Sequence, residues 1–360
     1  MHCVVVGLAQ RGDEPAKKRL FDYPDPKGKP VETGHDWLTA YLFGAKEDER
    51  KGVVESARDP IGTDKRLIIG SKPIDGGYYI FGPNERAELI SKGDSGAKFL
   101  RPYMGAEEYI NGGKRWILAL HGATSAELRA SPVISERVKR VRAMRTASAS
   151  GPTRALAATP LLYHVNVIPE HPYLVIPEVS SERRDYVPIG WLEPPTIPSN
   201  LVRVLEDATL HDFGVLTSTM HMAWLRQIGG RLESRYRYSI GLVYNTFPWP
   251  DATPEQRGKI SALAQTVLDA RALPKNATST LADLYDPDFM PKELRDAHRT
   301  LDAAVDKLYR PKGFADDRER VEHLFRLYEQ LVHPTSGAAA ANRRTKRRAA
   351  RTAATAPARP

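Results

Sequence analysis

One cysteine, Cys3, stands in a chain of 360 residues. It excludes an intramolecular disulfide and a thiolate zinc cage. Long apolar runs are missing too: the longest, Val4 to Ala9, falls far short of the ~20 residues a membrane span needs. The opening MHCVVVGLAQRG has neither a basic leader nor a small-residue cleavage pattern, so no secretory signal is expected. A reducing cytoplasm fits these absences. No Gly-X-Y period accompanies the 28 prolines, which excludes collagen, and an apolar fraction of 41% excludes wholesale disorder.

Chemical signatures are equally scarce. No phosphate loop of the G-x-x-x-x-G-K-[ST] type occurs. An amino-methylating DNA enzyme needs a Gly-rich cofactor turn and an (Asn/Asp/Ser)-Pro-Pro-(Tyr/Phe) loop; the only Pro-Pro pair here is in Glu193-Pro194-Pro195-Thr196. Pro24-Asp25 with Glu49-Arg50-Lys51 fits a metal-nuclease pattern only by force. His211 and His221, ten residues apart with no third ligand beside them, read as structural or surface residues. No Ser-His-Asp arrangement is legible from sequence order.

Positive charge is abundant, at a net +9, but unevenly placed. Seven cations (Arg343, Arg344, Lys346, Arg347, Arg348, Arg351 and Arg359) lie between 335 and 360 without one acid, leaving +2 for the rest. That tail reads as a disordered basic arm adding at most non-specific phosphate affinity.

Along the chain, Val4–Val6 looks like a buried strand with nothing upstream to pair with. Residues 10–35 read as a surface connection, and Trp37, Leu38, Tyr41 and Leu42 as a short amphipathic turn. LIIG and YYIF, between Arg66 and Phe81, look like two strands around a Gly-rich turn. Pro132–Arg145 is helical: Ile134, Val138 and Val141 form one stripe, and Arg137, Lys139, Arg140, Arg142 and Arg145 spread over the remainder. LLYHVNVI, YLVIPEVSS and YVPIGWL are strand candidates within 160–198. Helices are expected near 199–211 and 216–227, then a strand YRYSIGLVYNTF. After Asp251 the pattern is helical, with Leu294, Ala297, Leu301, Ala304, Val305 and Leu308 on one face and an Asp316/Glu319 cap before the last helix. The fold class is therefore α+β.

Two constellations suit nucleic acid. Ser180–Tyr186 places Arg183 and Arg184 beside small hydroxyls on a loop; arginine can reach guanine N7/O6 and serine a phosphate oxygen. The alternative is a solvated turn with a local Glu182–Arg pair. Arg226, Arg231, Arg235, Tyr236, Arg237 and Tyr238 surround Gly229-Gly230, suited to pairing phosphates and stacking on bases. The alternative there is a capped helix end followed by a charged edge strand.

Several runs together resemble the C-terminal part of the MmeI-like (type IIL, allied to type IIG) restriction-modification enzymes: GSKPIDGGYYIF (70–81), FLRPYMGAEEYINGGKRW (99–116), IPEVSSERRDYVPIGWL (176–192), FGVLTSTMHMAWLRQIGGRLESRYRYS (213–239), VYNTFPWPDATPEQR (243–257) and LADLYDPDFMPKELRDAHRTLDAAVDKLY (281–309). MHCVVVGL resembles the last strand of that family's methyltransferase domain. The resemblance implies a methyltransferase-sheet remnant and connector over 1–125, a strand-rich α/β target-recognition domain over 126–250, a helical C-terminal domain over 251–334 and the basic tail over 335–360. It implies double-stranded DNA as partner, and Arg183, Arg184, Tyr186, Arg226, Arg231, Arg235, Tyr236, Arg237 and Tyr238 as candidate contacts. The family modifies adenine at N6 with S-adenosylmethionine, but its cofactor turn, catalytic loop and nuclease have no counterpart here. No catalytic, cofactor or metal residue is therefore expected in this chain. Three readings stand: a DNA-specificity module, an adenine methyltransferase when a separate catalytic chain complements it, and a non-DNA interaction protein with a basic tail.

Overall fold

A computed structural model of the chain describes residues 6–10, 12–23, 28–45 and 53–333. Two compact units divide it: residues 56–324, and a smaller one formed by residues up to 55 together with those from 325. The basic tail lies outside the described residues, as does most of the expected strand at 4–6; Val6 and Leu8 are exposed and form no strand.

In the smaller unit, β1 (Lys18–Asp22) and β2 (Val31–His35) make an antiparallel hairpin where a plain connection was expected. Its charged composition is reconciled by cross-strand chemistry: Arg19 pairs with Glu32 at 2.5 Å and lies over the Phe21 ring. The expected helical turn at 37–42 is instead β3 (Trp37–Leu38) paired with β4 (Gly44–Ala45). Tyr41 packs on Phe325, ring centroids 4.7 Å apart.

The larger unit carries three sheets. β5 (Ile68–Ile69), β9 (Tyr173–Pro177), β11 (Gly190–Leu192) and β13 (Val202–Leu205) form an antiparallel sheet in the order β11-β9-β13-β5. Every residue of β9 is buried, as its unbroken run of large apolar side chains requires. A second sheet, β12-β7-β8-β6, joins β6 (Ile80–Phe81), β7 (Leu100–Met104), β8 (Trp116–Leu118) and β12 (Ile197–Pro198), with β12 parallel to β7. β5 and β6 are thus strands, but of different sheets. Gly70 sits where the chain crosses from one to the other: a Cβ there would stand 2.2 Å from the Ser199 carbonyl oxygen. The third sheet, β10-β15-β14, contains β10 (Val179–Ser180), β14 (Gly230–Leu232) and β15 (Arg235–Arg237).

Short helices α1 (Pro83–Ser91), α2 (Ala106–Asn111), α3 (Ser125–Ala130) and α5 (Gly151–Ala155) flank α4 (Pro132–Thr146). Ile134 and Val141 of α4 join Tyr79, Phe81, Ile117, Leu118 and Tyr163 in one apolar cluster, so packing is continuous across residue 125. LLYHVNVI forms no strand, only an isolated bridge between Val165 and Lys72. The helix expected at 199–211 is strand β13, its β-branched Val202 and Val204 filling the sheet, and α6 (Leu210–Leu216) starts only after it. α7 (Thr219–Ile228) follows. The strand expected through YRYSIGLVYNTF stops at Arg237, and Ile240–Tyr244 winds into a π-helical turn that Asn245 pins through the Ala57 and Arg58 carbonyls.

The helical end comprises α8 (Pro254–Arg271), α9 (Leu281–Leu284), α10 (Lys292–Tyr309) and α11 (Asp317–Val332). The Glu319 N–H donates to Asp316 Oδ1 at 2.9 Å, the expected cap. α8 packs on α6 at Gly214, where a Cβ would come within 2.7 Å of Ile260 Cγ2.

Candidate nucleic-acid interface

β14 and β15 form a two-stranded ribbon turning at Glu233, whose φ is +59°. In register, Arg231 faces Tyr236, Leu232 faces Arg235 and Gly230 faces Arg237. Strand alternation decides what each does. Tyr236 turns inward and is buried, while Arg235 and Arg237 turn to solvent on the opposite face. β14 is exposed along its length. Arg231 lies over the Tyr236 ring, 4.1 Å from its centroid, holding a cation against the buried side of the ribbon. Arg235 pairs with Glu233 at 2.9 Å. Arg237 reaches Glu178 at 3.4 Å, and that carboxylate is anchored by buried Arg203 at 2.7 Å. The ribbon is tied down by Tyr238, whose N–H donates to the Glu178 carbonyl and whose hydroxyl meets His221 Nε2 at 2.8 Å. His221 is core, as its scattered placement suggested; burial pushes its pKa down to about 3, so it is neutral.

The loop carrying Arg183 and Arg184 is clamped to the helical end. Arg183 is exposed and pairs with Asp288 at 2.6 Å. Arg184 is half-buried, with no side-chain partner within bonding distance among the described residues; burial lowers its pKa and Asp286 opposes the shift. Tyr186 is buried, stacked on His298 with centroids 3.9 Å apart, and donates to Asp302 at 2.7 Å. Asp302 also accepts from the Thr219 hydroxyl and N–H. Burial raises the Asp302 pKa against these hydrogen bonds and drives that of His298 well down. Arg271 extends the cluster, donating to the Tyr285 hydroxyl and to the Ile189 carbonyl. Arg226 pairs with Asp317 at 2.7 Å and donates to the Asp185 carbonyl.

The structure therefore sorts the nine candidates. Arg231, Arg235 and Arg237 share the ribbon, and Arg183 and Arg184 the turn that follows β10, the strand paired with β15. Arg226 is engaged as a clamp. Tyr186 and Tyr238 have buried rings and satisfied hydroxyls, and Tyr236 is covered by Arg231, so none offers a face for a base to stack on. Sequence reasoning missed Glu178 and Arg203, which hold Arg237, and Asp302 and His298, which hold Tyr186 on the loop that carries Arg183 and Arg184. The signal for Asp302 was its position beside Leu301, on the buried side of α10.

α4 departs from a plain solvated basic face. Arg145 is fully buried, with all five N–H donors satisfied by the carbonyls of Pro73, Ile74, Leu156, Thr159 and Leu162 at 2.8–3.1 Å. Arg137 lies over Phe81 and bonds Glu85 and the Tyr78 and Ile80 carbonyls.

Among the described residues, neither the glycine turns nor the cavity fits an S-adenosylmethionine site. The strand-to-helix turns before α1 and α2 carry one glycine each, Gly82 and Gly105, whose amides already donate to Glu85 and Glu108. A cavity of about 430 Å³ is lined by Lys65, Asp212, Trp249 and Arg257, but its lysine and aspartate neutralise each other at 2.5 Å. Among the described residues no group of three or more His, Cys, Asp or Glu gathers as a metal set. The forced nuclease match falls at Asp25 and Glu49–Lys51, outside the described residues.

Comparisons with known proteins agree along most of the chain. Residues 48–251 match the MmeI target recognition domain and residues 252–335 the MmeI C-terminal domain. DNA methyltransferase A of Bacillus subtilis (strain 168) is 35% identical over 329 residues, which cover 91% of this chain and 36% of that protein. A solved structure of the type IIL restriction-modification enzyme MmeI in complex with DNA superposes with a TM-score of 0.81 at 37% identity, over 89% of this chain and 42% of that one. The chain thus spans roughly two-fifths of the length of these relatives.

Proposed function

Because the chain belongs to the MmeI family, of which it carries the target recognition and C-terminal domains, we propose that it chooses a specific sequence in double-stranded DNA on behalf of a restriction-modification adenine methyltransferase. The observation that carries this reading is the β14–β15 ribbon, which presents Arg235 and Arg237 outward on a backbone anchored from beneath. A two-stranded ribbon fits a major groove, and an arginine fork there bonds guanine O6 and N7. Arg183 and Arg231 stand exposed for phosphate or base edges. The relatives' names, one a DNA methyltransferase and one an enzyme bound to DNA, support the same partner. Methyl transfer and its S-adenosylmethionine belong, in this reading, to sequence the relatives carry beyond the matched part, on the same polypeptide or a separate catalytic chain. The working place of such an enzyme is the cytoplasm, with its DNA.

Selection from a random duplex pool tests it, with the full chain and with a version ending at residue 334. Sequence preference surviving the deletion is expected. Arg235→Ala and Arg237→Ala should each relax one position, at about 1–3 kcal/mol of lost discrimination. Binding that disappears with the tail and never shows preference would refute it in favour of an interaction protein with a basic arm.

A further inference from the structure

The α3–α5 segment holds the most lopsided charge among the described residues. Between 125 and 155 it carries Arg129, Arg137, Lys139, Arg140, Arg142, Arg145 and Arg154 against Glu127 and Glu136 alone. The inward cations of α4 are consumed by the fold: Arg145 by five carbonyls, Arg137 by Glu85, two carbonyls and the Phe81 ring. Arg140 is matched by Glu136, one turn away, and Glu127 is taken by Lys98. Lys139 and Arg142 remain. They stand three residues apart, on one face of the helix, both exposed, and among the described residues neither side chain has a hydrogen-bond or ion-pair partner.

A rigid helix with an unmatched pair of cations on its outer face is a fitting for regularly spaced negative charge. We propose that Lys139 and Arg142 form a phosphate-gripping face for duplex DNA, separate in role from the ribbon: α4 supplies affinity without reading sequence, and β14–β15 supplies the choice of bases. This rests on the DNA reading above for its partner. Its physical basis is the release of counterions from the duplex, which depends on the number of phosphates neutralised and not on the bases between them.

The test is an anisotropy titration of a selected cognate duplex and an unrelated duplex at 50–200 mM salt. It compares wild type, Lys139→Ala/Arg142→Ala, Lys139→Gln/Arg142→Gln and Arg235→Ala. Lys259→Ala/Lys307→Ala serves as control, two exposed lysines on α8 and α10. Both α4 double variants should melt like wild type, bind both duplexes more weakly by the same factor, and flatten the log–log salt slope by nearly two units. Between 50 and 200 mM salt their loss of affinity then shrinks by about twelvefold relative to wild type. Arg235→Ala should instead weaken the cognate duplex selectively. An unchanged slope in the α4 variants, an equal flattening in the control pair, or a loss confined to the cognate duplex overturns the proposal. A wild type without sequence preference refutes the specificity reading, while the unrelated duplex still reports on α4.

Discussion

Replacing Asp302 by alanine should loosen the loop that carries Arg183 and Arg184. The carboxylate accepts from the Tyr186 hydroxyl at 2.7 Å, the Thr219 hydroxyl at 2.7 Å and the Thr219 N–H at 2.8 Å. Its loss leaves three inward donors without an acceptor, at about 1–3 kcal/mol each. Two are hydroxyls that can rotate toward other oxygens, and the desolvation cost that burial places on the carboxylate is recovered, so the sum settles at roughly 3–5 kcal/mol. At about 2–4 °C per kcal/mol for a unit of this size, the melting temperature falls by roughly 10 °C. Asp302→Asn keeps the shape and one acceptor oxygen and should cost about 1–2 kcal/mol. Thermal melting gives the first readout. Limited trypsin digestion gives the second, because Arg183 and Arg184 are cleavage sites on the clamped loop and should be cut faster in Asp302→Ala. A variant that melts within about 2 °C of wild type and is cut at the same rate would show that the clamp does not hold the loop.

Two further outcomes follow from packing and protonation. Gly214→Val should destabilise by about 1–3 kcal/mol, measured by urea unfolding, because its side chain would press on Ile260 and Ala264 across the α6–α8 contact. His221, neutral in the fold with its pKa near 3, takes up a proton only when unfolded below pH ~6.5; its contribution to stability is complete above that and drains away as pH falls toward 3, at about 1.4 kcal/mol per pH unit. His221→Phe should therefore show a shallower acid slope than wild type, and identical slopes would contradict a buried neutral histidine.

Helices α4, α8, α10 and α11 were legible because their apolar residues recur at helical spacing, and β9 because its aromatic and β-branched residues, broken by proline, favour a strand. Strand pairing was not. β5 and β6 stand close in sequence, but their partners, β13 and β8, come from elsewhere, so local pattern suggested a hairpin that does not exist. Residues 202–205 alternate only over Val202-Arg203-Val204, too short a stretch to mark a strand, and the burial of Arg203 on its Glu178 partner is not visible in the sequence, so the run passed for helix. Within the site, the arginines were visible but their employment was not. Arg145 continues the stripe of Ile134, Val138 and Val141, a clue that it turns inward. Tyr186 and Tyr238 resemble base-stacking residues in sequence; only His298 and His221, brought from distant segments, show that they are core.

The alternation along β15 has an evolutionary consequence. Tyr236 and Tyr238 secure the strand, while the exposed side chains beside them are held only by single ion pairs, Arg235 to Glu233 and Arg237 to Glu178. Positions 235 and 237 can drift through many side chains at little cost to folding, so on the DNA reading proposed above a lineage would respell its target while keeping the same scaffold.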